Sequence, residues 1–209
     1  MKSDLLFELG TEELPPKALI SLSHALAEEL TSCFNDSDLS FDHIQTFATP
    51  RRLALLVTAL DVSAPDKNIV SWGPPTKVAF GENNSPTKAG EAFAKKHNLA
   101  TSELLNNIEH DGHQEKLCYR LTQKGELTRN LLGNMLNDSL RKLPIPKRMR
   151  WGNSKEEFVR PVQWAVLLFN NEVCSDNILG LCASNISQGH RFHSSGDIVI
   201  ESPVSYEPQ

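Results

Sequence analysis

"LLFELGTEELPPKAL", residues 5–19, opens on an apolar run, passes through two adjacent acids and two adjacent prolines, and leads into leucines at helical spacing. Residues 3–9 are short and apolar enough for a buried strand, and Pro15-Pro16 suits the first turn of a helix, where a missing N–H leaves no bond unmade. Leu19, Leu22, Leu26 and Leu30 then step by three and four to about Phe34, giving one apolar stripe. A strand that runs through a stiff, charged connection into an amphipathic helix sets the first layer contact of the fold.

Working outward, Asn35, Asp36, Ser37 and Asp38 break that helix, and residues 43–48 and 51–62 read as two β segments around Thr49-Pro50, a predicted hairpin. Trp72-Gly73-Pro74-Pro75 reads as a rigid turn. Residues 81–84 read as a polar loop before a helix at 86–97, capped by Ser85 or Thr87, with Ala89, Ala92 and Phe93 inward. A short turn near 101–105 and a strand at 116–123 follow. Residues 128–143 carry the broadest stripe, Leu131, Leu132, Met135, Leu136, Leu140 and Leu143, and Pro144 ends it. Further strands are expected at 161–169, 173–179, 181–183 and 197–200. Strands and helices interleave without a regular βαβ rhythm, so the expected class is α+β, with mixed or antiparallel sheets and packed helices. Residues 1–203 read as one module and 204–209 as a linker toward further chain.

Composition narrows the function. The net charge of -5 argues, as an average, against a general nucleic-acid coat. The charge is segregated, however. Residues 1–40 hold eight acids against Lys2 and Lys17, whereas residues 141–160 hold seven Lys or Arg against Glu156 and Glu157. Cys33, Cys118, Cys174 and Cys182 are widely spaced, with no C-x-x-C pair and no secretory leader, so neither a disulfide framework nor a zinc cluster is expected. The longest apolar run, 164–169, is far short of the ~20 residues that span a bilayer. A soluble, cytoplasmic protein is the expectation, with no membrane and no DNA among its partners.

Three stretches, and the acids of the opening stretch with Arg51 and Arg52, could carry chemistry. In "LPIPKRMRWG", residues 143–152, an extended backbone would place Arg148 and Arg150 on one face and Lys147 on the other, a fork suited to phosphates, with Trp151 offering a flat face to a base. The alternative is a charged strand edge over a core tryptophan. In "QGHRFHSSG", residues 188–196, His190 and Arg191 after a glycine suit a phosphate or carboxylate contact better than a metal, for which no third ligand has helpful spacing. "EHDGH", residues 109–113, contains a His-Asp pair, but Asp111-Gly112 is more simply a turn. Neither nucleotide-binding glycine fingerprint is present, and no nucleophile arrangement is recognisable. Glu8, Glu12 and Glu13 form either a crowded acid/base set or, more simply, partners for Arg51 and Arg52 across the Pro50 turn.

"ELGTEELPPKAL", "TPRRLAL", "LPIPKRMRWG", "FVRPVQWAVLL" and "GHRF", in this order, closely resemble the N-terminal part of the β subunit of bacterial tetrameric glycyl-tRNA synthetase, from about Leu5 to Phe192. The resemblance implies a ligase of two α and two β chains that joins glycine to tRNA(Gly). The class II site, which uses ATP with Mg, belongs there to the α subunit, so no cofactor is expected in this chain. It also implies a fold resembling the B3/B4 module of phenylalanyl-tRNA synthetase β chains. On this basis Lys147, Arg148, Arg150, Trp151, Arg160, His190 and Arg191 are tRNA-binding candidates. Glu8, Glu12, Glu13, Arg51 and Arg52 are a structural signature, and catalytic and metal residues are none. The alternatives are an editing-like hydrolase using Glu12, Glu13 or His190, and a module that only docks the α subunit.

Overall fold

In a computed structural model, which describes residues 1–153, 155–190 and 196–207, the first apolar run is the strand β1 (Lys2–Thr11), buried from Leu5 to Thr11. Pro15 is the N-cap of helix α1 (Pro16–Asp36) and Pro16 its first residue, so neither ring removes a helical hydrogen bond. Its buried stripe is Leu22, Leu26, Leu30 and Phe34. The expected hairpin follows as β2 (His43–Thr49) and β3 (Arg52–Asp61), paired antiparallel.

The chain next enters a separate compact unit, residues 66–125. Its elements are β4 (Lys67–Pro75), α2 (Thr76–Ala79), α3 (Lys88–His97), β5 (Ile108–His110) and β6 (Glu115–Gln123). The strands form an antiparallel sheet in the order β4-β6-β5, and Ala79, Phe93, Ala94, Leu104 and Leu117 make the core. Two expectations are corrected here. Trp72 to Pro75 end a strand instead of making a turn: β4 is a sheet edge, where proline gives up no ladder bond, and a register shift between Trp72 and Pro75 absorbs the irregularity. Ala92 is exposed, and the buried face of α3 is Gly90, Phe93 and Ala94. Thr87 caps that helix, accepting a bond from the Gly90 amide.

Residues 126–207 return to the first unit with α4 (Thr128–Lys142), the small hairpin β7 (Met149–Arg150) and β8 (Glu157–Phe158), and the long strand β9 (Val162–Phe169). Five short strands complete it: β10 (Glu172–Val173), β11 (Asn177–Ile178), β12 (Leu181–Cys182), β13 (Ile186–Gln188) and β14 (Asp197–Val199). The expected strand at 173–179 is thus two pieces, β10 and β11, and β13 was not anticipated. The main sheet runs β10-β9-β1-β3-β2, antiparallel throughout. Without β10, its order is fourth, first, third, second in a β-α-β-β-α-β chain, the split βαβ arrangement. The two crossings to and from residues 66–125 pair with each other, Ala64 N–H donating to Glu126 O at 2.9 Å and Thr128 N–H to Val62 O at 3.0 Å. The class is therefore α+β.

Alternation along the strands assigns the two faces of this sheet. Leu5, Phe7 and Leu9 with Leu53, Leu55, Val57, Ala165 and Leu167 meet α1 and α4, where Leu132, Leu136 and Leu140 complete one core. Leu6, Val166 and Leu168 point the other way and pack with Ile200, Trp164 and Tyr206. Glu8 and Gly10 lie on that second side, between the apolar rows.

Candidate nucleic-acid interface

The strand position of Glu8 puts a carboxylate where a leucine would be expected, with 0% of the residue exposed. Burying a charge is costly unless it is paired and hydrogen-bonded, and here four groups meet it. Trp164 Nε1–H and the Ser187 hydroxyl donate to Oε1, each at 2.5 Å. The Tyr206 hydroxyl donates to Oε2 at 2.6 Å, and Arg52 Nε lies 3.4 Å from the same oxygen. The guanidinium of Arg52 also donates to Gln188 O and stands 5.8 Å from the Trp164 ring centroid. Tyr206 packs edge-on against Phe47, ring centroids 5.4 Å apart. Its burial, with the Glu8 carboxylate alongside, pushes the hydroxyl well above the ordinary tyrosine range, so it stays a donor. Gly10 belongs to the same assembly: an added Cβ would lie 2.0 Å from Trp164 Cε2, so the indole rests where only a glycine leaves room.

One turn further along, the charged connection is held from both sides. Arg51 Nη2 is 3.7 Å from Glu12 Oε2, and Gln163 Nε2 donates to Glu12 Oε1 at 3.1 Å. Glu12 N–H donates to Pro161 O and Leu14 N–H to Pro50 O, so β9 and the β2–β3 turn both grip it. Glu13 is exposed, and Arg160 Nε reaches it through the backbone carbonyl at 3.1 Å. Arg160 Nη1 in turn lies 3.9 Å from Met149 Sδ, which brings the β7–β8 hairpin to the same end of the sheet.

The basic run does not form the expected fork. Arg148 turns back onto the end of α4 and donates to Leu140 O and Arg141 O, carbonyls of the last helical turn that have no intrahelical partner, and to Leu143 O just beyond it. Arg150 points elsewhere, to Glu157 Oε1 at 2.7 Å, with two-thirds of its side chain exposed. Lys147 is exposed. Trp151 is half-buried and packs on the main core. His190 is exposed, two residues beyond the carbonyl that Arg52 holds; Arg191 lies outside the described residues.

Trp164, Ser187, Tyr206 and Gln163 were missed from sequence, since a neutral donor that serves a distant carboxylate has no local signature. The "EHDGH" stretch is a turn: Asp111 Oδ1 accepts from His113 N and Gln114 N, both at 2.8 Å. Lys116, followed by those two amides, holds the Asp111 carboxyl well below the usual range. Among the described residues no group of three or more His, Cys, Asp or Glu could hold a metal ion, and no helix is long and apolar enough to cross a membrane.

These contacts define an α+β module in which β1, the β2–β3 turn, β9 and β13 bring their polar residues together on one sheet, Glu8 buried among its donors, Glu12 partly buried and Glu13 exposed. A family model described as "Glycyl-tRNA synthetase beta subunit" matches residues 5–209. The chain is 45% identical over 203 residues to a "Glycine--tRNA ligase beta subunit" of Pseudomonas savastanoi pv. phaseolicola, covering 97% of this chain and 29% of that protein. It is 41% identical over 204 residues to the protein of the same name from Marinobacter nauticus, covering 98% and 29%. The chain belongs to the glycyl-tRNA synthetase beta subunit family. It spans 29% of the length of these curated relatives.

Proposed function

We propose that this chain is the tRNA-handling part of a β subunit that supports attachment of glycine to tRNA(Gly). The chemistry, with its ATP and Mg, belongs in this reading to a partner α subunit, in a cytoplasmic assembly of two α and two β chains. Membership of the family and the printed names of the relatives support a place in glycyl-tRNA synthesis.

The observation that carries the tRNA role is the exposure of Lys147 and Arg150 at and just before the β7–β8 hairpin, which Arg160 ties through Met149 to the backbone of Glu13 at the end of the sheet. The Arg150–Glu157 pair is a surface pair, worth little by itself, so its arginine can exchange Glu157 for a phosphate at small cost. Arg148, occupied by the end of α4, is assigned a structural role. The acids favour this reading over a hydrolase. Glu8 is saturated with donors, and Glu12 is held by Arg51 and Gln163, so neither carboxylate is placed as a general base toward an incoming substrate.

Glycine-dependent exchange of pyrophosphate into ATP tests the division of labour. The chain alone is expected to show none while binding tRNA(Gly) at low salt; exchange by the pure chain contradicts the reading.

A further inference from the structure

We propose that Glu8 and Arg52 are positioning residues, which together fix the end of β13 and so set where Gly189 and His190 stand at the corner that meets tRNA. The importance of that corner to RNA rests on the reading above; the positioning itself does not.

Glu8 cannot touch a macromolecule, because it is wholly buried. What it holds is informative. Ser187, the middle residue of β13, gives its hydroxyl to Glu8 Oε1, and the next residue, Gln188, gives its carbonyl to the Arg52 guanidinium that pairs with Glu8 Oε2. One ion pair therefore grips two consecutive residues, one by side chain and one by backbone. Two ties on neighbouring residues fix the direction in which the chain leaves the sheet as well as its position. Gly189 and His190 come immediately after.

Arginine is suited to this because its planar fork presents donors in fixed directions. Its Nε side faces Glu8, a terminal nitrogen faces Gln188, and the flat face stands toward Trp164, whose own N–H is spent on Glu8. A lysine keeps the charge but cannot meet both oxygens with this geometry. A buried ion pair is weak support for stability compared with an apolar filling. Its position directly beneath the β13 end is explained by orientation.

The test is a double-mutant cycle on the 209-residue chain, reading affinity for a labelled tRNA(Gly) transcript by anisotropy, with melting followed in parallel. Arg52→Lys is expected to weaken binding about threefold or more when His190 is present, and to change nothing in a His190→Ala background. Ser187→Ala, a milder loosening of the same strand end, is expected to show the same dependence with a smaller loss. Equal losses in both backgrounds overturn the proposal, whereas no loss from His190→Ala itself, or an unaltered salt response of Lys147→Ala, sinks the tRNA reading of this corner and leaves the positioning to be decided without RNA. Amide and imidazole NMR signals of His190 supply a readout that needs no RNA. They are expected to shift in Arg52→Lys, and unchanged signals overturn the positioning role whether or not tRNA binds.

Discussion

Tyr206 and Glu8, 198 positions apart, share a hydrogen bond of 2.6 Å from hydroxyl to carboxylate. Burial first, and then the Glu8 charge, raise the tyrosine above its ordinary value of 10. The folded state thus favours the neutral hydroxyl. Its contribution to stability is complete below about pH 10 and is lost as pH climbs through the raised value. Alkaline unfolding of the wild type is expected to be steep above pH 10, and Tyr206→Phe is expected to flatten that dependence. A variant with the wild-type alkaline profile would show that the bond is not maintained in solution.

Removing the acid itself is expected to be severe. Glu8→Ala strands the Arg52 charge and three donors in a poorly solvated space and should cost roughly 3–5 kcal/mol by denaturant unfolding. Glu8→Gln, which keeps the shape, is expected to cost less. Equal effects from the two substitutions would mean that packing, not charge, is what Glu8 contributes.

Gly10→Ala is a single added methyl with a definite obstacle, the Trp164 ring, 2.0 Å from the new Cβ. The indole has to move and its bond to Glu8 has to break, at a cost of about 1–3 kcal/mol or more. The fluorescence of Trp164 is the direct monitor, measured in a background with Trp72 and Trp151 replaced by phenylalanine. An unshifted emission and unchanged melting would contradict the packing.

His97 gives residues 66–125 an acid sensitivity. Its ring lies between Phe93 and Tyr119, centroids 4.6 and 4.7 Å away, with Ser71 Oγ 3.1 Å from Nε2. Burial first, and then Lys96, lower its value below 6.5. The fold therefore favours the neutral ring, a contribution complete above about pH 6.5 and lost as pH falls through the lowered value. Protection of the β4 and β6 amides, taken as exchange relative to the intrinsic rate at each pH, is expected to fall between neutral and mildly acid pH, and His97→Gln is expected to remove that dependence. Equal protection at both pH values would contradict it.

Excision of residues 66–125 is expected to leave the other unit folded. The flanking chain is already paired at Ala64 and Glu126 and at Val62 and Thr128, so a short Gly-Ser bridge spans the gap without strain. A cooperative melt and the retained NMR pattern of β1, β3 and β9 are the expected outcome, and a molten spectrum the contrary one.

The first half of the main sheet was legible because its periodicities are local: Leu5 to Leu9, the α1 leucines and the hairpin about Pro50 each announce themselves within a dozen residues. The split βαβ order was not. Residues 66–125 separate β3 from α4 and hide the rhythm that joins them. Short strands such as β13 also escaped, since three residues carry too little alternation to read. At the site, like charges were legible as a group, and the pairing of Arg51 and Arg52 with acids followed from proximity to Pro50. The individual partners were not legible. Glu8 is reached by Trp164, Ser187 and Tyr206, which contact it only once the sheet has formed. Arg148 misled for a related reason: alternation along an extended chain ignored the bare carbonyls of α4 a few residues earlier, and these draw its guanidinium away.

The most direct test of the tRNA role is the salt dependence of tRNA(Gly) affinity for the wild type, Lys147→Ala, Arg150→Ala and Arg148→Ala. Each lost phosphate contact releases fewer counterions, so Lys147→Ala and Arg150→Ala are expected to lower the slope of log affinity against log salt by roughly 0.7–0.9 each, with melting unchanged. Arg148→Ala is expected to lower the melting temperature by freeing the α4 carbonyls while leaving the slope as it was. Wild-type slopes for Lys147→Ala and Arg150→Ala, in folded protein, would contradict a phosphate-binding surface at this end of the sheet.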